Sequence, residues 1–95
     1  MRVISRKAIR AFSEEHPDSR PSLSAWYGIV KNAAWNNLSE LKRDLPHADL
    51  VGRRTVFNIK GGSYRLVARV NYKSQLVFVL YILTHAEYDK GKWNL

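Results

Sequence analysis

The sequence predicts an α+β fold in the order β-α-α-β-β-β, an antiparallel sheet with two N-terminal helices on one face and a short C-terminal helix. Three observations carry that prediction. Up to Pro46 the apolar residues recur at helical spacing, and from Arg54 onward they alternate as in half-buried strands. The pairs Gly61-Gly62 and Lys73-Ser74 then divide the second half into three strands joined by tight turns.

Met1 to Ser5 is a short strand, and Ser5 is placed to cap a helix running to about His16, with Ala8, Ile9 and Phe12 on one stripe. His16-Pro17 stops it, because the residue before proline disfavours the α region. A second helix starts near Pro21 to Ser24 and gathers Leu23, Trp26, Tyr27, Val30 and Ala33/Ala34 on one side. Asn37 and Glu40 form a capping box for a short helix carrying Leu38, Leu41 and Leu45, which Pro46 ends. Arg54–Lys60, Ser63–Tyr72 and Gln75–Leu83 are the three meander strands. Thr84 and Glu87 form a second capping box and open the C-terminal helix, placing His85, Tyr88 and Asp89 on one side at i, i+3 and i+4.

Residues 1–95 are read as one domain, long enough for a single hydrophobic core. The chain has no cysteine, which excludes disulfides and thiolate metal sites. Its first residues turn charged before an apolar run develops, unlike a signal peptide. The longest apolar run, Leu76 to Leu83, falls far short of the roughly 20 residues of a membrane span. A cytoplasmic protein without a membrane role is therefore expected.

Charge supplies the first functional clue. Sixteen Lys and Arg stand against eight Asp and Glu, a net charge of +8. Residues 1–49 hold eight bases and six acids, whereas residues 50–95 hold eight bases and two acids; between Leu50 and Ala86 there are six bases and no acid. Such a one-sided stretch suits a polyanion, of which nucleic acid is the commonest.

Cross-strand arithmetic places those bases. With Gly61-Gly62 as a two-residue loop, Lys60 pairs with Ser63, Asn58 with Arg65, Val56 with Val67 and Arg54 with Arg69, and paired residues share a face. Phe57, Ile59, Tyr64, Leu66, Ala68 and Val70 then form the core face, while Arg54, Asn58, Lys60, Arg65 and Arg69 line the face away from the helices. RNA can be cleaved without metal when its own 2′-hydroxyl attacks the adjacent phosphate. Cations must then stabilise the phosphorane, and other groups must move two protons. Lys60 and Arg65 suit the first task, and His85 the second, since histidine ordinarily titrates near about 6.5. Tyr88 can stack on a base or donate a proton. The bland readings stand beside these: Lys60 and Arg65 as solvated charges, His85 as an ordinary helix residue, Glu87 as a cap, Tyr88 and Asp89 as local packing. His16 and His47, beside prolines, are read as structural, and Trp26 and Trp35 as core or interface.

The segments Val56-Phe57-Asn58-Ile59-Lys60-Gly61-Gly62-Ser63-Tyr64-Arg65-Leu66-Val67-Ala68 and Thr84-His85-Ala86-Glu87-Tyr88-Asp89 resemble the HigB-like toxins of the RelE superfamily. Met1 to Ala11 and Pro21 to Pro46 fit that family's strand–helix–helix opening, so the resemblance covers essentially the whole chain. It implies a type II toxin–antitoxin component that cleaves mRNA, often on the translating 70S ribosome, without metal or other cofactor. It also implies a HigA-like helix-turn-helix antitoxin, with operator DNA touched only through the toxin–antitoxin complex. Carried over residue by residue, it singles out Lys60, Arg65, His85 and Tyr88 as catalytic; the basic face and charge run themselves offer Arg54, Asn58, Arg69 and Lys73 as RNA-binding residues. Asn58 stands where RelE-type chains often place another lysine. Two alternatives remain: a ParE-like gyrase poison of the same fold, against which the Thr84–Asp89 motif argues, and a non-catalytic RNA- or ribosome-binding module.

Overall fold

A computed structural model of the chain describes residues 1–94. The strands are β1 (Arg2–Ile4), β2 (Asp49–Val51), β3 (Arg54–Ile59), β4 (Tyr64–Asn71) and β5 (Leu76–Thr84), and the helices α1 (Arg6–Glu15), α2 (Arg20–Lys31), α3 (Leu38–Asp44) and α4 (His85–Asp89). They build one five-stranded sheet in the order β1-β5-β4-β3-β2. The α+β class and the meander follow the sequence expectation, with β3, β4 and β5 antiparallel in turn. The structure adds two details. A short strand, β2, pairs with the start of β3, and β1 joins β5 in parallel with Val3 opposite Val77. A parallel partner requires a long crossover, which the three helices between β1 and the rest of the sheet provide.

Helix boundaries follow their chemistry. Pro21 sits in the first turn of α2, where a missing N–H costs nothing. The Asn37 side chain accepts from the Glu40 N–H at 2.9 Å, but the Glu40 carboxylate reaches back to Asn36 rather than Asn37, so only half of the expected box forms. Ser5 occupies the N-cap position of α1 in a left-handed conformation and makes no side-chain cap bond. The Thr84/Glu87 box is complete.

The main core lies between the helices and one sheet face. Leu23, Trp26 and Val30 of α2 and Leu41 of α3 pack on Phe57, Ile59, Leu66, Ala68, Val77 and Val79. Trp35, from the loop after α2, is buried there too, its indole donating to Asp44 at 2.8 Å. Each fully buried leucine is worth about 1.5–3 kcal/mol, so this layer fixes the sheet that carries the site. Helix α1 contributes no fully buried residue and lies over the layer through Ala8, Ile9 and Phe12.

The opposite face departs from expectation. Val56 and Val67 point away from the helices, yet they are 3% and 0% exposed. Trp93, from the turn after α4, folds back over them with Val51, Leu83 and Tyr88. A bulge between Val67 and Ala68 leaves Leu80 as an extra residue on β5 and sets Tyr81 opposite Val67 on this same face. Among the described residues no helix is long and apolar enough to cross a membrane.

Candidate active site

Three pieces of chain meet at one end of the sheet: the β3–β4 turn, the start of β4, and the β5–α4 junction. The His85 N–H donates to the Ser63 carbonyl at 3.1 Å and ties α4 to the turn. The capping box fixes how α4 leaves β5, with Thr84 N–H to Glu87 at 2.9 Å and Glu87 N–H to the Thr84 hydroxyl at 3.2 Å. The same Thr84 donors hold the Glu87 carboxyl below its ordinary value, so Glu87 is a committed cap.

The register places Asn58 opposite Arg65 and Val56 opposite Val67, as the sequence arithmetic expects. The ladder ends at Thr55–Ala68, one step short of the expected Arg54–Arg69 pair, where like charges would face each other. Arg65 is half-buried and donates to the Gly62 carbonyl, and its guanidinium carbon lies 5.4 Å from the centre of the Tyr88 ring. Gly62 makes room for it: φ is 97°, and a Cβ there would meet the guanidinium nitrogen at 3.1 Å. Tyr88 also stacks on Trp93, with ring centres 4.9 Å apart. Much of its ring is thus already taken, which leaves the hydroxyl as its free functional group.

His85 and Asp89 face solvent one helical turn apart, and the Asp89 carboxylate lies 2.8 Å from Nδ1 of the imidazole. With Nδ1 engaged, Nε2 is the nitrogen left to exchange a proton. Arg65, His85 and Tyr88 are therefore gathered at one sheet end.

Lys60 is a correction to the expected geometry. The last hairpin pair is Ile59–Tyr64, and residues 60–63 form a turn closed by Ser63 N–H to the Lys60 carbonyl at 3.1 Å. Lys60, Gly61 and Gly62 all take positive φ, which two glycines make accessible. Lys60 thereby leaves the sheet and turns toward the helical layer. Its ammonium meets Asp18 at 2.7 Å, and the Tyr64 hydroxyl donates to the same carboxylate at 2.8 Å. The Lys60 and Tyr64 donors hold the Asp18 carboxyl below its ordinary range, and Asp18 in turn raises both partners. His16 completes this side, stacked on Phe12 with ring centres 4.4 Å apart.

The residues expected to bind RNA divide. Asn58 and Arg69 are exposed on the face away from the helices. Arg54, half-buried, donates to the Trp93 carbonyl and lies 5.6 Å from the Tyr81 ring centre. Lys73 stands apart from the others. It sits in the β4–β5 turn at the opposite end of β4, about 25 Å from Arg65 at the strand rise. The sequence carries no signal for Trp93, Tyr81 or Asp18: a lone aromatic near a terminus, a strand tyrosine turned to the other face by a bulge and a proline-turn aspartate have no motif of their own. Among the described residues no group of three or more His, Asp or Glu side chains is arranged to hold a metal ion.

A fixed guanidinium, a carboxylate-oriented imidazole and a phenol on the rim of a basic sheet face can bind a phosphodiester and move protons around it. Known proteins similar to this chain belong to one toxin family. Residues 19–91 match the family described as HigB_toxin, RelE-like toxic component of a toxin-antitoxin system. The mRNA interferase toxin HigB of Escherichia coli K12 is 29% identical over 92 residues, covering 94% of this chain and 88% of that protein. The mRNA interferase HigB of Escherichia coli O6:H1 is 27% identical over 93 residues, covering 95% and 90%.

Proposed function

The chain belongs to the HigB toxin family, the RelE-like toxic component of toxin–antitoxin systems, and on that premise we propose that it is an mRNA interferase, an endoribonuclease that blocks translation by cutting messages. The observation that carries the site assignment is the Gly62-anchored Arg65 guanidinium lying against the Tyr88 ring of α4, the same helix that carries the His85–Asp89 pair, at one end of a basic sheet face.

The reaction follows from those groups. His85 Nε2 takes the proton of the 2′-hydroxyl, and the 2′-oxygen forms a bond to the adjacent phosphorus. Arg65 grips two phosphate oxygens as charge builds on the phosphorane. The bond from phosphorus to the 5′-oxygen breaks, and the Tyr88 hydroxyl supplies the proton to that leaving oxygen. The products are a 2′,3′-cyclic phosphate and a 5′-hydroxyl. Lys60 adds positive charge from the turn once it exchanges Asp18 for phosphate. Asn58, Arg54 and Arg69 hold the flanking backbone.

The cutting is assigned to the translating ribosome in the cytoplasm. The partner is a HigA-like helix-turn-helix antitoxin, through which alone the toxin meets operator DNA. Expression without antitoxin should arrest growth and leave new 5′ ends within translated codons, read by primer extension. Arrest with intact messages would favour a gyrase poison of the same fold.

A further inference from the structure

The sheet face that carries Arg65 has a second recess beside the site already described. It is a groove of about 380 Å³ lined by Tyr81, Leu83, Glu87, Lys90, Lys92 and Trp93. That size lies within the span of small-ligand clefts, roughly 300–1,000 Å³. Its floor is apolar through Leu83 and Trp93, and its rim carries two exposed lysines. Glu87 supplies the acid of the rim, with its carboxylate committed to the Thr84 N–H at 2.9 Å.

Tyr81 is the unusual member. It is 41% exposed in the middle of a strand, although the valine opposite it, Val67, is fully covered. The bulge that leaves Leu80 over is what turns Tyr81 to this face. The Arg54 guanidinium, 5.6 Å from the ring centre, links Tyr81 to the backbone at Trp93. A large aromatic left open, with cations around it and an apolar wall beside it, is how proteins receive a single-stranded base. The groove also lies next to the reacting centre along the sheet. Leu83 pairs with Arg65 and Tyr81 with Val67, so Tyr81 stands two residues, about 7 Å, along β5 from the pair that holds Arg65.

We propose that this groove is a subsite for one unstacked nucleobase of the message, adjacent to the cut, with Tyr81 as its stacking platform and Lys90 and Lys92 on the flanking phosphates. The inference rests on the mRNA-cleaving reading above and extends it. Stacking is tolerant of base identity, so the subsite fixes where along the strand the phosphate meets Arg65 rather than which base is read.

The test is single-turnover cleavage on programmed ribosomes, with messages carrying one abasic nucleotide at each position flanking the cut. Tyr81→Ala should weaken half-saturation on the intact message by about 5- to 100-fold, the scale of one lost base stack, while retaining the rate at saturation. Tyr81→Phe should behave as wild type. At one position the abasic message should cost the wild type the same factor, and there Tyr81→Ala should cost nothing more. Lys92→Gln should lower the salt slope by about one phosphate contact. An equal Tyr81→Ala penalty on every message, or none on any, would overturn the subsite. So would a Tyr81→Ala variant that cuts normally but releases its antitoxin, which would make the groove a protein-docking surface. A wild-type chain that cuts no message overturns the proposed function, and the subsite with it.

Discussion

The Arg65 guanidinium donates to the carbonyl of Gly62, and it lies so close that a Cβ at position 62 would stand 3.1 Å from its nitrogen. The backbone of one turn residue thus aims the cation of the site. Gly62→Ala should strain a left-handed backbone by about 1–2 kcal/mol and push the guanidinium from its seat. Cleavage should fall by about 10- to 100-fold, the scale of a misplaced group, with only a modest drop in melting temperature. Wild-type cleavage by Gly62→Ala would show that the Gly62 contact does not set the position of Arg65.

Arg65 and His85 carry the chemistry in different ways. Arg65→Ala should lose about 10²–10³-fold in single-turnover cleavage, as for one electrostatic donor. Arg65→Lys should recover only part, because a point charge cannot grip two oxygens. His85→Ala should lose about 10²–10⁴-fold, as for a proton-transfer group. Asp89→Asn should fall between wild type and His85→Ala, since it removes the negative charge beside Nδ1 that favours the protonated imidazole formed during the reaction. Both His85 and Asp89 are exposed, so thermal melts of their variants should match wild type. Early melting would assign them a structural role instead.

Lys60 and Asp18 set a third expectation. The depressed Asp18 carboxyl contributes its stabilisation fully above its ordinary value of 3.8 and loses it as pH falls through the lower folded value. The raised Lys60 ammonium contributes fully below its ordinary 10.5 and loses this as pH rises through the higher folded value. The tie is therefore constant across neutral pH. An NMR titration should find Asp18 among the last carboxylates to protonate on acidification. Asp18→Asn should free Lys60 for phosphate and strengthen RNA binding, while Lys60→Met should weaken it. If Asp18→Asn weakens binding as much as Lys60→Met does, Asp18 positions Lys60 for the reaction rather than holding it away.

Salt dependence separates the bases of the site from the others. About four to six phosphate contacts make affinity for single-stranded RNA fall steeply with salt, with a slope near −0.7 per contact. Arg69→Ala should flatten that slope by about one contact, whereas Lys73→Ala, at the far end of β4, should leave it unchanged. Filter binding across a salt series reads both. A Lys73→Ala variant with a flattened slope would mean that the RNA runs the whole length of the sheet.

The limits of sequence reading fall at identifiable places. Period-2 alternation around Gly61-Gly62 sufficed to pair Asn58 with Arg65, because a slip of one residue would have turned Phe57 and Leu66 to the wrong face. The capping spacing of Thr84 and Glu87 likewise foretold the helix that carries His85 and Tyr88. Lys60 departs from its expected place because alternation does not reveal where a strand stops, and the turn takes it out of the ladder. Charge alone does not separate Lys73 from the other bases, whereas the strand direction sets it at the far end of β4. The Trp93 cover was illegible for a similar reason: no periodicity links a tail residue to Val56 and Val67.

That cover supports the last prediction. Trp93 is 9% exposed, stacks on Tyr88, and donates its indole N–H to the Tyr88 carbonyl at 2.9 Å. It shields Val56 and Val67, which would otherwise be apolar positions on a solvated sheet face. Trp93→Ala should cost about 3–5 kcal/mol, the usual range for a buried tryptophan. That is a large share of the roughly 5–15 kcal/mol that holds a domain together. Trp93→Phe should recover most of the packing but not the indole hydrogen bond. Urea denaturation of the three proteins measures this directly. Cleavage by the folded fraction of Trp93→Ala should also fall, because Tyr88 loses the ring that holds it beside Arg65. Should Trp93→Ala unfold at the wild-type urea concentration, Trp93 is not a structural cover, and Val51, Leu83 and Tyr88 suffice to cover Val56 and Val67.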